Sequence, residues 1–266
     1  MIKYVSISII AFKHLYVYKL DILLRLITAF LTVFALKELW TVIYHSGDNV
    51  ADSSGVSLVS MTTYAMASHI LRAILAQDLS IEVEHRVRNG DIVFDIMKPW
   101  NYMIMQLSRV IGQSLYSTLF IVIPLLLTCS LMFPFESPDD PLQLMTVLIS
   151  VTLAFFINFM INFLISLLAF LFTSVWGFEF VKWVLIEVFS GLWIPIWFFP
   201  EAASRILFML PFQAIYHTPL SIFIGRFSEL EALKHIGVQA IWLVLLAILS
   251  QSAYVFLRRQ LQIAGG

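Results

Sequence analysis

The residues of this 266-residue chain that are best suited to polar chemistry lie in one short stretch, 78–98. The stretch holds eight of the 33 Asp, Glu, Lys and Arg residues, and its flanks are almost entirely apolar. A mixture of both charge signs is typical of a surface that pairs with another protein. We therefore predict a docking surface formed by Glu82, Glu84, Arg86, Arg88, Asn89, Gly90, Asp91, Lys98 and Pro99.

No catalytic motif accompanies these charges. The chain lacks the G-x-x-x-x-G-K-[ST] nucleotide loop, the H-E-x-x-H zinc motif and the G-x-S-x-G nucleophile turn. The six histidines have no metal-ligand spacing, and the single cysteine, Cys129, cannot form an internal disulfide. The sequence therefore predicts no catalytic residue, no metal site and no cofactor bound by this chain.

The composition is that of an integral membrane protein. The chain is 60% hydrophobic and 12% charged, with a mean hydropathy of +0.90, whereas soluble domains are about one quarter charged. The net charge of −1 gives no basic field for binding nucleic acid. We predict an all-α protein with one transmembrane domain over residues 1–266, surrounded by membrane lipid.

The number of spans follows from the apolar stretches, since a helix needs about 20 residues to cross a bilayer. Residues 1–21 precede the first stretch and are predicted to form an amphipathic interfacial helix, because apolar residues recur there at helical spacing. The alternative is a cytoplasmic extension of the first span. The repeating residues are Ile2, Val5, Ile9, Phe12 and Tyr16. The six predicted spans are 22–44, 56–77, 106–133, 142–172, 181–198 and 236–257.

The apolar region 199–225 is a poor span because Pro200, Pro211 and Pro219 interrupt it. We predict a re-entrant hairpin on the outer side, between the fifth and sixth spans. Broken helices are tolerated in a membrane where protein or water covers their backbone. A seventh full span is the alternative.

The distribution of basic residues sets the orientation. With the N-terminus inside, six spans place twelve Lys and Arg residues on the inner side and four on the outer side. Both termini and the segment 78–102 are then cytoplasmic. The predicted outer loops 45–55 and 134–141 contain no Lys or Arg. Their charged residues are the acids Asp48, Asp52, Glu136, Asp139 and Asp140.

The segment 78–102 has the pattern of two short helices. Apolar and charged residues alternate up to Asn89-Gly90-Asp91, a turn signal because Asn and Gly tolerate positive φ. An apolar stripe follows from Ile92 and stops at Lys98-Pro99, since the residue before proline is disfavoured in a helix. We predict helix, turn, short helix and stop along the inner membrane surface. An ordinary solvated loop is the alternative.

Polar residues within the predicted spans are candidates for a translocation path, because they are costly in lipid. Glu187 either lines a path or forms a structural pair with a partner such as Arg205 or a residue of a neighbouring span. Asn158 and Asn162 share one face of the fourth span, where hydrogen bonds between helices are the simpler interpretation. The remaining candidates for the path or its gate are Gly191, Pro195, Pro200 and Pro211.

Two blocks of residues resemble the permeases of type-2 ABC exporters, above all the bacterial branch with two different six-span permeases. The first block is Glu84, Gly90-Asp91 and Lys98-Pro99 in the cytoplasmic segment. The second block comprises Trp176-Gly177-Phe178-Glu179, the stretch 189–195, Phe198-Phe199-Pro200, Leu210-Pro211-Phe212, and Tyr216 with Pro219 and Gly225. The resemblance extends over the whole chain in the number and order of spans.

This resemblance implies a subunit of an exporter in the bacterial inner membrane. Two such subunits, the second a different but related chain, would form the path. A separate cytoplasmic ABC ATPase dimer, which binds ATP and Mg²⁺, would dock on residues 82–91 and on the N-terminal helix. The hairpin after the fifth span would shape the exit.

Two other classes of membrane protein remain open from the residues alone. An ion-coupled secondary transporter needs paired acids near the middle of the membrane, and the sequence offers only Glu187. A membrane scaffold that transports nothing needs no such residue.

Overall fold

The computed structural model describes residues 2–16, 19–46, 55–138 and 140–260, and every regular element in these ranges is helical. The helices are α1 (Ile2–Tyr16), α2 (Lys19–Ser46), α3 (Leu58–Leu75), α4 (Leu79–Arg88), α5 (Ile92–Met97), α6 (Tyr102–Ser117), α7 (Ile123–Met132), α8 (Pro141–Leu167), α9 (Trp176–Phe189), α10 (Glu201–Met209), α11 (His217–Phe223) and α12 (Glu229–Leu257). A π-helical turn joins α6 to α7 over Thr118–Val122. Turns of 3₁₀-helix cover Leu168–Phe170, Ile196–Phe198 and Pro211–Ala214.

Four helical stretches of the described residues are long and apolar enough to cross a membrane: Leu58–Arg88, Tyr102–Met132, Pro141–Phe170 and Glu229–Leu257. They overlap the second, third, fourth and sixth predicted spans, and they contain the sixth entirely. Helix α2 covers the predicted first span with 28 residues but is not among the four, and it contains Arg25, Lys37 and Glu38. The count of six spans therefore stays a prediction.

The predicted fifth span, 181–198, is not one helix, and its break lies at Ser190-Gly191. Helix α9 ends at Phe189, and the chain bends through Ser190 and Gly191 before the turn that begins at Ile196. Gly191 has φ +83°, a conformation that a right-handed helix cannot contain. The 14 residues of α9 extend about 21 Å, short of the roughly 30 Å of a bilayer core.

Helix α1 lies along α6 and is described over Ile2–Tyr16. Of the predicted interfacial helix 1–21, residues 17 and 18 lie outside the described residues, and residues 19–21 belong to α2. The hydroxyl of Ser8 donates to the carbonyl of Ser108 at 2.7 Å, and the hydroxyl of Tyr116 donates to the carbonyl of Leu15 at 3.0 Å. Gly112 of α6 permits this approach, because a Cβ there would overlap the backbone of Ser8.

The predicted apolar face of α1 is not the face that the protein buries. Val5, Ile9 and Tyr16 are about half exposed, whereas Tyr4 and Ile7 pack against the main core. Apolar residues therefore lie on two sides of α1. The helix contacts α6 with one side and leaves the other available for lipid.

The core forms around α8, which contacts α12, α11 and α4. Its aromatic centre comprises Tyr102, Phe159, Phe163 and Tyr254, with the rings of Tyr102 and Tyr254 stacked at 5.2 Å. The amide of Gln239 donates to the carbonyl of Ala214 and so joins α12 to the turn before α11. This core holds in place the two regions that contain the predicted site residues.

The region 199–225 consists of α10, a 3₁₀ turn and α11, of which the two helices have nine and seven residues. Both helices are too short to cross a bilayer, as expected of a hairpin. Its position relative to a membrane stays a prediction. In the predicted outer loops, Asp48, Asp52 and Asp139 lie outside the described residues, while Glu136 accepts a hydrogen bond from Ser60 at 2.7 Å.

Candidate functional site

The charged segment forms two short helices joined by a tight turn. Helix α4 ends at Arg88, Gly90 adopts φ +77°, and α5 begins at Ile92. The backbone N–H of Asn89 donates to the carbonyl of His85 at 3.0 Å, which closes the end of α4. Lys98 is extended, with ψ 139°, so the helix stops before Pro99. This is the shape that the sequence pattern predicted.

A single buried carboxylate, Asp95, organises the charges of this segment. Its side chain is fully buried and lies 2.6 Å from Arg86, 3.1 Å from Lys98 and 3.3 Å from Arg109. A buried carboxylate is stable only when it is paired and hydrogen-bonded. Two of its partners belong to the segment and the third to α6, so Asp95 fixes the segment onto the third predicted span.

Glu82 extends the same network, because it accepts a hydrogen bond from Arg109 at 3.0 Å. The Arg109 side chain is only 15% exposed and also donates to Gln106 at 3.1 Å. Arg109 thus connects α4, α5 and α6. The predicted docking residues Glu82, Arg86 and Lys98 therefore form internal ion pairs.

Glu84 makes a different contact, with the beginning of α9. Its carboxylate accepts the backbone N–H of Val175 at 2.9 Å, just before the first turn of that helix. The side chain is 14% exposed, and its other oxygen lies 3.4 Å from Arg88. A carboxylate in this position also interacts favourably with the positive end of the helix dipole.

The outer surface of the segment combines polar and apolar groups. Arg88, Asn89 and Asp91 are exposed, in agreement with a surface role for these predicted residues. Ile81, Phe94 and Met97 are exposed by 57%, 67% and 76%. Most charges of the segment thus hold it in place, and its exposed surface combines these three apolar side chains with polar ones.

A cleft of about 730 Å³ separates this segment from α1. One wall is apolar, with Ile7, Ile10 and Leu15 of α1. The other wall is charged and includes Glu82, His85, Arg86, Asp91 and Lys98. The cleft therefore suits a partner with both apolar and polar side chains.

The predicted path residues Asn158 and Asn162 belong to a buried cluster around Lys182. The amide of Asn158 donates to the carbonyl of Leu75 at 2.8 Å, so α8 is bonded to α3 as expected for an asparagine between helices. The Lys182 ammonium donates to Asn162 at 2.6 Å and forms an ion pair with Glu179. Lys182 is itself buried. It is one of the twelve basic residues counted on the inner side, where a surface lysine would be exposed to water.

Glu187 forms an ion pair with Arg72 of α3, at 2.6 Å. This confirms a structural pair with a neighbouring predicted span; Arg205, the other expected partner, pairs instead with Glu201, one turn away on α10. The second carboxylate oxygen of Glu187 accepts a hydrogen bond from the Trp193 indole. The Arg72 guanidinium also lies 5.8 Å from the centre of the Trp193 ring.

Gly191 lies in a crowded site beyond the end of α9. Its carbonyl accepts a hydrogen bond from the Tyr64 hydroxyl at 2.6 Å, and a Cβ at this position would lie 3.0 Å from Cβ of His217. The other predicted gate residues start new elements. Pro195 and Pro200 precede the turn at Ile196 and helix α10, and Pro211 begins the next turn. The path candidates therefore form separate clusters.

Sequence reasoning missed Asp95 and Arg109 as the centre of the charged segment. Asp95 interrupts the apolar stripe of α5, and Arg109 lies inside the predicted third span. Both positions are costly for a charge unless it has a partner. That cost is a signal that could have linked the two residues.

One comparison with known proteins gives a match. The model of the family described as "ABC-2 family transporter protein" matches residues 22–265. No curated protein and no solved structure matches the chain. Since the family match extends over almost the whole chain, this multi-pass membrane protein belongs to the ABC-2 family of transporter proteins, as a permease of the ABC-2 type.

Proposed function

We propose that the chain is the transmembrane subunit of an ATP-driven exporter and that a separate ATPase docks on residues 78–102. The observation that carries this proposal is the exposure of Ile81, Phe94 and Met97 on a segment whose charges are largely paired internally. Exposed apolar side chains rimmed by polar ones mark interaction sites. ABC-2 permeases generally work with a cytoplasmic ABC ATPase.

The cleft beside α1 supports the same proposal. Its apolar wall and charged wall would receive a helix of the ATPase between α1 and the segment 78–102. ATP and Mg²⁺ would be bound by the ATPase, since the chain has no nucleotide motif. Closure of the ATPase dimer would then push on α4 and α5.

The path would run beside α9 and the hairpin 199–225. Glu187, Asn158, Asn162 and Gly191 are its proposed polar or flexible positions, and Pro195, Pro200 and Pro211 allow the outer bends. A second, related permease would form the other half. In this proposal the protein lies in a bacterial inner membrane, with both termini and the segment 78–102 in the cytoplasm.

The docking surface can be tested by site-specific photo-crosslinking. A photoreactive amino acid replaces Met97 in the intact complex, and a matched one replaces Met209 of α10, which is exposed to the same degree. We expect a crosslink to the ATPase from position 97 and not from 209. A complex that contains the ATPase but gives no crosslink from position 97 would overturn the proposed docking surface.

A second measurement addresses transport. ATP hydrolysis by the ATPase should rise when the permease is present in liposomes, and vesicles should accumulate or lose cargo only with ATP. If ATP hydrolysis is the same with and without the permease, the chain is not the coupled subunit.

A further inference from the structure

We infer that Glu84 is a positioning residue that fastens α9 to the arm formed by α3 and α4, so that arm and α9 move as one body. The inference rests on the proposed function, in which the ATPase moves α4. It assigns Glu84 an internal role in place of a contact with the ATPase.

The first observation is the contact at the beginning of α9. Glu84 accepts the N–H of Val175 at 2.9 Å and is largely buried, so it has little surface to offer a partner protein. The bond joins residues 91 positions apart in the chain. A hydrogen bond to a charged group is stronger than one between neutral groups.

The second observation is that the same arm holds the other end of α9. Arg72 of α3 pairs with Glu187 in the last turn of α9, and Tyr64 of α3 donates to the carbonyl of Gly191, just beyond it. Tyr64 and Arg72 belong to α3 and Glu84 to α4, and only residues 76–78 separate these two helices. The arm therefore holds α9 at its start and at its end.

The third observation is how little else covers α9. On its exposed side Trp176 stacks on Phe180, with ring centres 5.7 Å apart, and the Phe180 ring is tilted against Trp183, with centres 5.9 Å apart. The described contact with α8 is the hydrogen bond between Lys182 and Asn162. The hairpin region also contacts α9, through the turn Pro211–Ala214 and through the N–H of His217, which donates to the carbonyl of Ser190 at 2.9 Å. Three polar bonds to the arm against one to α8 favour joint motion with the arm rather than with α8.

A movement of α4 would then be transmitted directly to α9. The Glu84 carboxylate would pull the N-terminus of α9, and the Arg72–Glu187 pair would keep its other end aligned with α3. The break at Gly191 would absorb the motion relative to the hairpin 199–225. Without Glu84, α4 would move and α9 would lag behind.

Distance measurements between spin labels test this inference in the full complex. Labels are placed in pairs at the exposed positions Ile81 of α4, Val181 of α9 and Leu148 of α8, in a Cys129→Ala background. Ile81 belongs to the proposed docking surface, so the labelled chain is used only after it has been shown to stimulate ATP hydrolysis as the unlabelled chain does. Labelled chain is diluted with unlabelled chain, so that only distances within one chain are measured. On adding ATP, we expect the 81–181 distance to stay constant while the 148–181 distance changes.

The variants separate a hydrogen-bonding role from a charge role. Glu84→Gln keeps an oxygen that accepts from Val175, whereas Glu84→Ala removes it. We expect Glu84→Ala to raise the population in which α9 is detached from α4 roughly tenfold, seen as a broader 81–181 distribution. Glu84→Gln should stay close to the unmodified protein, and so should Arg88→Ala, which removes only the exposed partner of Glu84.

The outcomes distinguish this inference from the proposed function. The three labels give the distances 81–181, 148–181 and 81–148. If ATP changes none of these distances, the proposed function fails. If α4 moves with ATP while α9 keeps its distance to α8, the joint motion is wrong although the transporter works. An 81–181 distribution that is equally narrow in Glu84→Ala would also overturn the role of Glu84.

Discussion

The segment 78–102 and the region from α9 to the hairpin both contain charges in an apolar chain, but they use them differently. In the segment, three cations surround the buried carboxylate of Asp95 and tie α4, α5 and α6 together. In the α9 region, charged contacts are spread along a helix whose apolar sides are mostly uncovered, from Glu84 at its start to Arg72 at its end.

This difference indicates a rigid platform next to a tethered helix. Three ion pairs to one buried group restrain every member of the network, whereas separate bonds along a short helix restrain its position at a few points. We therefore expect charge removal in the segment to affect folding, and changes near α9 to affect transport at a smaller cost in stability.

The largest expected effect follows Asp95→Ala. This variant removes the carboxylate with which both Arg86 and Arg109 form ion pairs. Breaking a buried ion pair costs about 3–5 kcal/mol of folding free energy. The thermal stability of the detergent-purified protein, measured by size-exclusion chromatography after heating, should fall sharply. The control Asp91→Ala changes an exposed acid between α4 and α5, three residues after the end of α4, and should cost under about 0.5 kcal/mol. Equal melting temperatures would contradict the platform.

Glu187→Ala should have the next largest effect. It leaves the charge of Arg72 beside Trp193 without its carboxylate, at a cost of about 2–3 kcal/mol. The double variant Arg72→Met, Glu187→Ala should recover part of this stability but not transport. The exposed pair of Glu201 and Arg205 is the control, since Glu201→Ala should cost less than about 1 kcal/mol. Additive losses in the double variant would show that the pair is uncoupled.

Gly191→Ala should cost about 1–3 kcal/mol, because its backbone has φ +83° and its Cβ would press on His217. The same measurement of thermal stability, together with ATP-driven transport, checks it. Gly177→Ala is the matched control: this helical glycine has no atom within 4 Å of the added Cβ, so its stability should stay the same or rise. A fully active Gly191→Ala protein would show that the break tolerates a side chain.

Gly90→Val should have the smallest effect on stability, about 1 kcal/mol, because φ is +77° but the space around the glycine is open. Membrane insertion should be normal while ATP hydrolysis becomes less coupled to transport, measured as cargo moved per ATP. Gly90→Asn should behave like the unmodified protein, since asparagine tolerates this conformation. Unchanged coupling in Gly90→Val would show that the turn is not required.

The shape of the segment 78–102 could be predicted because its signals are local. Asn89-Gly90-Asp91 indicated the turn, and Lys98-Pro99 indicated the stop, each within a few residues. The role of Asp95 could not be predicted in this way, because Arg109 joins it from another helix. Local patterns report on backbone conformation, whereas ion-pair partners depend on how helices pack.

The fifth span shows the same limit. Its apolar composition predicted one helix over 181–198, although Ser190-Gly191 and Pro195 already indicated a weak point. Whether such a point only bends a helix or ends it depends on the bonds that stabilise the break. Here Tyr64 and His217 bond to the backbone of Gly191 and Ser190, and they come from distant parts of the chain.

The sequence by itself determined that the protein is an all-helical membrane protein with one charged segment and a turn at Gly90. These properties are sums over neighbouring residues, so hydropathy and turn chemistry are enough to obtain them. Only the tertiary structure decided which charges face inward, that Glu84 bonds to α9, and that Arg72 pairs with Glu187. A charge buried in an apolar environment requires a partner, and the identity of that partner is set by the packing of helices distant in the chain.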